Sequence, residues 1–408
     1  MRAKPFWLAL FLLTAVFLLF YVYFTLQPVD VTSAALKYFT REEILFGRQY
    51  WRQRQLLFVV SFAIRVSILT AVALGPWGDL LTHRVVRIAQ GQKLKAALLF
   101  FLILWGILQL ASLPLSFYRS YVFEHRWGFS TQTLTGWWAD YAKSAALDLV
   151  FSAVGALLFF WLLRRWPLSW WLPAGVLMAG WLLIQNLLWP TLVAPLFNRF
   201  EPVQDPEVVA MVRQLAERSQ IPVQEILVMD ASRRTNKANA YFAGIGKTRR
   251  IVLYDTLLNN YSQPAVEAVV AHEMAHWKLG HIRIGTLLGI LAIFVQFYLL
   301  ALVLKSSLTY WQLKHYPPQA WAVALLCFLL TSFVGSPLEN GVSRYMERAA
   351  DRESVVLTGD PDGAVALQLN LARQNLSDIM PPPFIEWFAY SHPSTLRRIE
   401  LLKRGTHR

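Results

Sequence analysis

The stretch 271–277 reads Ala-His-Glu-Met-Ala-His-Trp and lies in an apolar run of helical spacing between Ser262 and His281. Two histidines four residues apart lie on one face of a helix, about one turn from each other, so both imidazoles can reach the same metal ion. The carboxylate of Glu273 follows the first histidine and can accept a proton from a metal-bound water. The H-E-x-x-H pattern therefore predicts one zinc ion per chain, with His272 and His276 as ligands and Glu273 as the general base of a hydrolase.

The ends of this helix are marked in the sequence. Ser262 is suited to the N-cap, Pro264 is tolerated in the first turn, and Gly280 is suited to ending the helix, which places the motif on a helix and not in a loop. His281 would be about half a turn out of phase with His272 and would point away from the metal if the helix continued. We interpret His281 as a packing residue at the helix boundary.

A catalytic zinc site needs a third protein ligand and one open position for water. Glu347 and Asp351 lie one turn apart on one face of a predicted helix, beyond the next hydrophobic segments. Alone, such a pair is typical of a solvated helix face, and the two histidines alone could be core residues of a buried helix. Together they predict Glu347 as the third ligand and Asp351 as a carboxylate that supports a ligand imidazole or another polar group of the site.

The composition is that of a protein that crosses a membrane several times. Of the 408 residues, 56% are hydrophobic and only 16% are charged, which is too apolar for an ordinary soluble protein. The first apolar stretch keeps bulky aromatic residues up to Phe24, so we interpret it as a span and not as a signal peptide. Seven stretches are candidate spans: 5–26, 56–80, 96–118, 145–163, 170–197, 282–304 and 321–334.

The distribution of lysine and arginine predicts the orientation. Loops 27–55 and 119–143, the segment 199–278 and the tail after Val334 are rich in basic residues, which predicts an outside N terminus and a metal-bearing domain in the cytoplasm. The two candidate spans between His272 and Glu347 return the chain to the same side, as a shared metal site requires. The location expected from this pattern is a bacterial cytoplasmic membrane, with the endoplasmic reticulum as the alternative.

Several polar residues fall within the candidate spans. Arg65 and Asp148 are costly to place in lipid, which favours a bundle that encloses a wet cavity. Hydrogen bonds between helices are the alternative explanation for the amides of Gln109, Gln296 and the pair 185–186.

The formal net charge of +14 raises the question of nucleic-acid binding. No nucleic-acid-binding motif accompanies the charge, and basic loops beside membrane spans explain it as anchors and contacts with anionic lipid. The single cysteine, Cys327, excludes an intramolecular disulfide, and an apolar thiol without a base is a poor nucleophile. The expected partners are therefore membrane lipid and a substrate, with no nucleic acid.

A small α/β unit precedes the motif. A helix is predicted over 205–219, a strand over 225–229, and a hairpin over 239–254 with a glycine turn. Gly246-Lys247-Thr248 resembles the end of a phosphate-binding loop, but Tyr241 stands where that loop needs glycine, so we expect no nucleotide. The outer strand of the hairpin would offer a free edge on which an extended peptide can add backbone hydrogen bonds beside the metal.

The C-terminal tail carries a further histidine. His392 lies in the stretch Tyr-Ser-His-Pro (390–393) and is followed by Arg397 and Arg398. A histidine and an arginine on a returning tail could stabilise the oxyanion of a tetrahedral intermediate.

Six motifs spread over nearly the whole chain form a specific set. They are 123–133 (Phe-Glu-His-Arg-Trp-Gly-Phe-Ser-Thr-Gln-Thr), 194–197 (Ala-Pro-Leu-Phe), 239–242 (Asn-Ala-Tyr-Phe), 272–281 (His-Glu-Met-Ala-His-Trp-Lys-Leu-Gly-His), 343–351 and 391–398. With these motifs the sequence resembles the type I CaaX prenyl protease family, integral-membrane zinc endopeptidases that process prenylated C termini. The resemblance implies seven helices that form a hollow α-barrel around a water-filled chamber.

The resemblance also implies roles for individual residues. The zinc ligands would be His272, His276 and Glu347, with Glu273 as general base and Asp351 as a supporting or proton-donating acid. Asn239, Ala240, Tyr241 and Phe242 would form the substrate-binding edge, and His392 and Arg398 would help to hold the substrate or the oxyanion.

The expected fold is mainly α, a polytopic membrane protein with a small α/β zincin-like metalloprotease domain. We expect five spans in 1–198, the edge hairpin and the H-E-x-x-H helix in 199–281, two transmembrane helices in 282–335, and the third zinc ligand in 336–408. The expected activity is hydrolysis of peptide bonds near the C terminus of CaaX-type peptides or proteins, prenylated or not. Two alternatives stay open: a heat-shock-type quality-control protease without a prenyl requirement, and a non-enzymatic lipid-binding scaffold on a protease fold.

Overall fold

The computed structural model describes residues 3–244, 249–311 and 316–405, and the chain is mainly helical. The N-terminal half contains α1 (Ala3–Leu26), α2 (Ser33–Leu36), α3 (Arg41–Ala73), α4 (Pro76–Ile88), α5 (Lys93–Phe117), α6 (Phe123–Arg126), α7 (Leu134–Arg165) and α8 (Trp171–Leu188). The C-terminal half contains β1 (Phe200–Pro202), α9 (Pro206–Ser219), β2 (Glu225–Met229), β3 (Ala240–Ala243), β4 (Arg250–Tyr254), α10 (Asp255–Asn260), α11 (Gln263–Lys278), α12 (His281–Trp311), α13 (Ala320–Thr358), α14 (Pro361–Gln374), α15 (Pro383–Ala389) and α16 (Thr395–Gly405).

Six helices of the described residues are long and apolar enough to cross a membrane, namely α1, α3, α5, α7, α12 and α13. A seventh candidate consists of Trp171–Asn186 and Trp189–Leu196, which meet at an angle of 48°. The bend falls where Pro190 lies in a π-helical turn, because proline cannot donate the backbone hydrogen bond that a regular helix needs. The predicted set of spans is confirmed as six to seven.

The second span ends earlier than the sequence predicts. The candidate 56–80 runs through Gly75 and Pro76, but α3 ends at Ala73 and α4 begins at Pro76. Proline has no N–H with which to continue α3, and its fixed φ is suited to a helix start. The side-chain amide of Gln319 donates to the carbonyl oxygens of Val72 and Ala73, at 3.1 Å each, which satisfies two backbone acceptors at the end of α3.

The last span and the third predicted ligand belong to a single helix. Helix α13 has 39 residues and spans about 58 Å at 1.5 Å per residue, so it continues well beyond the apolar stretch 321–334. It passes through Pro337 without ending. Glu347 is therefore held by the extension of a membrane helix, which fixes its position relative to the bundle.

The small α/β unit has the elements that the sequence predicts. The four strands form one sheet in the order β1-β2-β4-β3, in which β2 and β4 are parallel and the other neighbours are antiparallel. The predicted helix over 205–219, the strand over 225–229 and the hairpin are confirmed as α9, β2 and the pair β3–β4. The glycine turn at 245–248, including Gly246-Lys247-Thr248, lies outside the described residues.

The sheet supports the motif helix. Ile251 and Leu253 on β4 are fully buried and share a core with Val270, Ala271 and Met274 on α11. Burying this apolar face holds α11 against the sheet, and the polar residues of the motif lie toward α13.

The molecule has more accessible surface than a compact protein of its mass. The accessible area is 21,614 Å² for 46.8 kDa, whereas a compact globular chain of this size exposes about 16,000 Å². Within the spans, Asp148 on α7 accepts hydrogen bonds from Trp105 and Gln109 on α5, and Gln296 donates to Ser332. The excess area agrees with a hollow bundle, and hydrogen bonds between helices account for Gln109 and Gln296, as the alternative explanation predicts.

Candidate active site

Helix α11 begins and ends where the sequence predicts. Ser262 occupies the N-cap position, although its side chain makes no capping hydrogen bond, and Pro264 lies in the first turn. The backbone of Gly280 is left-handed, with φ of 69°, a conformation that glycine adopts without strain and that ends the helix.

His281 is a buried residue at the helix boundary, as the sequence predicts. Its direction away from the metal was predicted for a continuous helix, but α11 ends before Gly280 and His281 is the first residue of α12. The ring of His281 is buried, and its Nδ1 lies 3.0 Å from Nδ1 of His276. Gly280 ends α11 as the sequence predicts, and the contact between His281 and His276 follows from the start of a second helix directly after it.

Three side chains from two helices converge on one point. His272 and His276 on α11 bring their Nε2 atoms to 3.2 Å from each other. Glu347 on α13 places Oε2 at 3.2 Å from Nε2 of His272 and Oε1 at 3.3 Å from Nε2 of His276. Ligands about 2.05 Å from a tetrahedral zinc ion are about 3.3 Å apart. The three groups form a candidate metal site whose spacing fits zinc.

The hydrogen bonding of the site also fits a cation. Glu347 is buried, and its Oε2 atom lies close to Nε2 of His272 but receives no hydrogen bond of proper geometry among the described residues. A buried carboxylate oxygen without a donor is costly, whereas a carboxylate beside two imidazoles is a regular zinc ligand set. The residues present therefore fit the metal that the motif predicts.

Asp351 contacts the ring nitrogen of His272 that does not face Glu347, and Arg398 binds Asp351. Oδ1 of Asp351 is 3.1 Å from Nδ1 of His272, and Arg398 on α16 donates to both carboxylate oxygens of Asp351, at 2.8 and 2.5 Å. Asp351 is buried, and the bidentate arginine offsets the cost of that burial. A carboxylate in this position can fix the tautomer and orientation of a ligand histidine.

Arg398 is thus engaged with an acid of the site. Its Nη2 atom lies 3.8 Å from Glu347, so the guanidinium is close to the metal group but its donors face Asp351. His392 approaches from the loop before α16, with Nε2 at 3.3 Å from Oε1 of Glu347 and Nδ1 at 2.9 Å from the hydroxyl of Ser391. The structure therefore brings His392 and Arg398 to the site, while their role toward an oxyanion stays a prediction.

Glu273 lies beside the converging ligands in a half-buried position. Loss of water around its carboxylate raises the pKa of Glu273 above its ordinary value, while the neighbouring histidines lower it in part. A carboxylate whose pKa is raised toward neutral pH is a better proton acceptor for catalysis near pH 7.

Strand β3 lies at the end of the sheet and beside the motif helix. Asn239 is exposed and immediately precedes β3, and the ring of Phe242 lies 5.9 Å from the ring of Trp277 on α11. Ala240 and Tyr241 pair with β4 on one side of the strand. The predicted edge is thus next to the predicted metal site, as addition of a peptide strand would require.

Zinc and a proton compete for His272, and this competition predicts how the affinity for zinc depends on pH. Burial lowers the pKa of His272, but Asp351 and Glu347 outweigh it and raise the pKa to about 10. At neutral pH the metal-free site therefore holds a proton on His272 that zinc must displace. We expect zinc binding at pH 7 to release about one proton and the apparent affinity to rise about tenfold per pH unit between pH 6 and 8. Calorimetry in two buffers of different ionisation enthalpy measures the release, and an affinity independent of pH would contradict the prediction.

Comparison with known proteins adds to this geometry. Residues 202–406 match the profile described as Peptidase family M48, which is about half of the chain and includes every residue of the candidate metal site. The chain belongs to peptidase family M48. Residues 25–199 match a second profile, described as CAAX prenyl protease N-terminal, five membrane helices. This M48 chain is therefore a metalloprotease, an integral membrane protein that crosses the membrane several times, and it acts on peptides or proteins.

Three similar proteins show how far the likeness extends. A Bacillus subtilis protein named uncharacterized metalloprotease YhfN is 32% identical over 74% of this chain and 72% of its own length. The CAAX prenyl protease 1 of Saccharomyces cerevisiae is 28% identical over 88% of this chain and 82% of its own length. A crystal structure of S. mikatae Ste24p superposes with a TM-score of 0.84, at 24% identity, over 97% of this chain and 98% of that chain. The Ste24p-like fold is thus shared across nearly the whole chain.

Proposed function

We propose that this M48 protein is a zinc endopeptidase that cleaves near the C terminus of CaaX-type substrates, with faster cleavage of prenylated ones. The supporting observation is a complete His272, His276 and Glu347 group with Glu273 beside it, next to an open sheet edge and in a bundle with excess accessible surface. The relatives named CAAX prenyl proteases share both halves of the chain. The membrane helices would receive an apolar substituent that a soluble protease would leave in water.

The proposed mechanism follows from the placement of the side chains. A zinc ion held by His272, His276 and Glu347 would supply a Lewis acid and a water of lowered pKa. Strand β3 from Ala240 would align the extended substrate by backbone hydrogen bonds. Glu273 accepts the proton of the attacking water and passes it toward the leaving amine.

The supporting residues have separate tasks in this proposal. Asp351, backed by Arg398, holds the imidazole of His272 in orientation. His392 lies on the open side of Glu347, where it can donate to the substrate carbonyl oxygen as charge develops there. Asn239 marks the start of the substrate edge.

We propose the same division and orientation that the sequence predicts. Five spans in 1–198 and two in 282–335 would surround the site contributed by 199–281 and 336–408. The catalytic residues would face the cytoplasm of a bacterial cell, because the basic residues concentrate on that side.

Cleavage of matched C-a-a-X peptides with and without a farnesyl group tests the proposal. The detergent-purified protein is loaded with zinc, and Glu273→Ala serves as the blank. Faster cleavage of the farnesylated peptide supports the proposal. Equal cleavage of both peptides would favour a general membrane quality-control protease, and no cleavage of either by zinc-loaded protein would favour a lipid-binding scaffold.

A further inference from the structure

A second cavity lies away from the metal site, where the membrane region meets the small α/β unit. It has a volume of about 470 Å³ and is formed by the first turns of α7, the segment 195–199 and the arginines at 233–234. We call it the basic pocket. The residues of the candidate active site do not line it. Two of the motifs noted in the sequence, 123–133 and 194–197, contribute to its walls, and the peptidase mechanism leaves both without a role.

The basic pocket carries an excess of positive charge. Its lining contains Lys143, Arg199, Arg233 and Arg234 and a single acid, Asp140. Arg234 donates to both oxygens of Asp140, at 2.8 and 3.2 Å, and Lys143 lies 3.6 Å from the same carboxylate. The acid is therefore already neutralised by its own neighbours.

The remaining arginines are available to a ligand. Arg233 lies 3.0 Å from Asp230, but its side chain is 57% exposed. Arg199 is exposed, and its backbone N–H, not its guanidinium, donates to Asp230. Even when Asp230 is counted with the lining, four positive charges face two negative ones. A pocket with this balance attracts an anion, and guanidinium groups match the paired oxygens of a phosphate.

The position of the basic pocket relative to the membrane indicates which kind of anion it binds. Lys143 lies two residues before the apolar stretch 145–163 of α7, and Trp138 and Tyr141 lie in the preceding turns. Tryptophan and tyrosine concentrate at the level of lipid headgroups. Leu196 lines the pocket and is exposed, and Leu192, four residues earlier in the chain, is also a large exposed apolar side chain. The pocket thus combines a basic floor at headgroup level with apolar flanks that can contact acyl chains.

We propose that the basic pocket binds the phosphate group of an anionic membrane phospholipid. The phosphate lies between Arg199 and Arg233, with Lys143 at the rim and the acyl chains along Leu192 and Leu196. A free phosphate would use the same arginines but not the apolar flanks. A peptide carboxylate would need neither the headgroup level nor the flanks, so the lipid accounts for more of the observed features.

Lipid retention by the full-length protein tests this site. Protein in detergent is mixed with phosphatidylglycerol and phosphatidylcholine of identical acyl chains, and the bound lipids are counted by native mass spectrometry. Each arginine near a membrane phosphate contributes about fivefold, so Arg199→Gln with Arg233→Gln is expected to lower the preference for phosphatidylglycerol about 25-fold. Arg213→Gln, an exposed arginine on α9, is the matched control and is expected to change nothing.

Further variants show whether a change in lipid preference comes from the basic pocket, from misfolding or from loss of catalysis. Lys143→Gln is expected to give a partial loss, which confirms the location with an independent half-exposed residue. Glu273→Ala is expected to retain the lipid preference in full, so failure of the protease proposal leaves this one intact. An unchanged preference in the double variant, an equal loss in Arg213→Gln, or displacement of the lipid by equimolar inorganic phosphate or by an unmodified peptide C terminus would overturn the lipid site.

Discussion

Glu273→Gln is expected to reduce peptide hydrolysis by about 10²- to 10⁴-fold while zinc stays bound. Glutamine keeps the size and the hydrogen-bonding reach of the side chain but cannot accept a proton. His272, His276 and Glu347 keep their converging positions, because their contacts with one another do not involve Glu273. Turnover of a peptide substrate and zinc content by elemental analysis, measured on the same preparation, give the two parts of the result.

The matched control is Glu267→Gln on the same helix. Glu267 lies in α11 outside the metal group, so its substitution removes a carboxylate from the helix without removing the base. Its turnover is expected to equal that of the parent. Parental turnover by Glu273→Gln would show that another group accepts the proton, and loss of zinc by that variant would assign Glu273 to the metal shell instead.

The metal site was predictable because its ligands and supporting acid occur in pairs that are close together in the sequence. The spacing from His272 to His276 and from Glu347 to Asp351 fixes two helix faces, and only the meeting of those faces depends on the tertiary fold. Hydrophobic periodicity predicted α9, β2 and the hairpin for the same reason. Such features need no knowledge of distant contacts.

The interruptions of helices were harder to predict. The sequence is apolar across Gly75 and Pro76, so it did not indicate that α3 ends and α4 begins there. The sequence after the last apolar stretch is polar, so it did not indicate that α13 continues from the last span to Glu347. Hydropathy indicates which residues can lie in lipid, but it does not indicate where a helix ends or continues. His281 was predicted correctly as a packing residue at the helix boundary, but its contact with His276 was not predicted, because it depends on how α12 follows Gly280.

Contacts between distant segments were not predictable from local patterns. Lys237, just before β3, lies 2.8 Å from both Glu124 and the hydroxyl of Tyr50, which belong to the membrane half. Nearby, the side chain of Asn236 donates to the carbonyl of Gly128 at 2.8 Å. These bonds connect the segment before the substrate edge with the motif at 123–133 and give Glu124 of that motif a partner. A single sequence carries no signal that pairs residues more than a hundred positions apart.

The ion pair between Arg48 on α3 and Asp378, before α15, is another contact of this kind. Its side chains are only 5% and 2% exposed, and the two charged atoms are 2.8 Å apart. Arg48 also donates to the carbonyl oxygens of Phe24 and Thr25, at 3.0 Å each. The pair thus connects the end of α1 and helix α3 with the C-terminal segment that carries His392.

Arg48→Met is expected to lower the free energy of unfolding by about 3–5 kcal/mol. The variant leaves the Asp378 carboxylate buried without its cation. Burial already raises the pKa of Asp378 above its ordinary value even with Arg48 beside it, which means that desolvation offsets much of the attraction. Denaturant unfolding in detergent micelles measures the loss. The exposed pair Arg373–Glu43, with side chains 44% and 34% exposed, provides the control, and Arg373→Met is expected to cost no more than about 1 kcal/mol.

The double variant Arg48→Met with Asp378→Leu shows whether the ion pair stabilises the fold or whether its attraction only offsets the cost of burying the two charges. If desolvation offsets the attraction, replacing both charges by apolar side chains removes the uncompensated carboxylate and restores most of the lost stability. The carbonyl oxygens of Phe24, Thr25 and Gln27 then lack the donor Arg48, and the backbone N–H of Met380 lacks its acceptor Asp378. Recovery is therefore expected to be incomplete by about one hydrogen bond's contribution for each. A double variant as unstable as Arg48→Met would contradict this account, because it would mean that the two charges attract each other by far more than their burial costs.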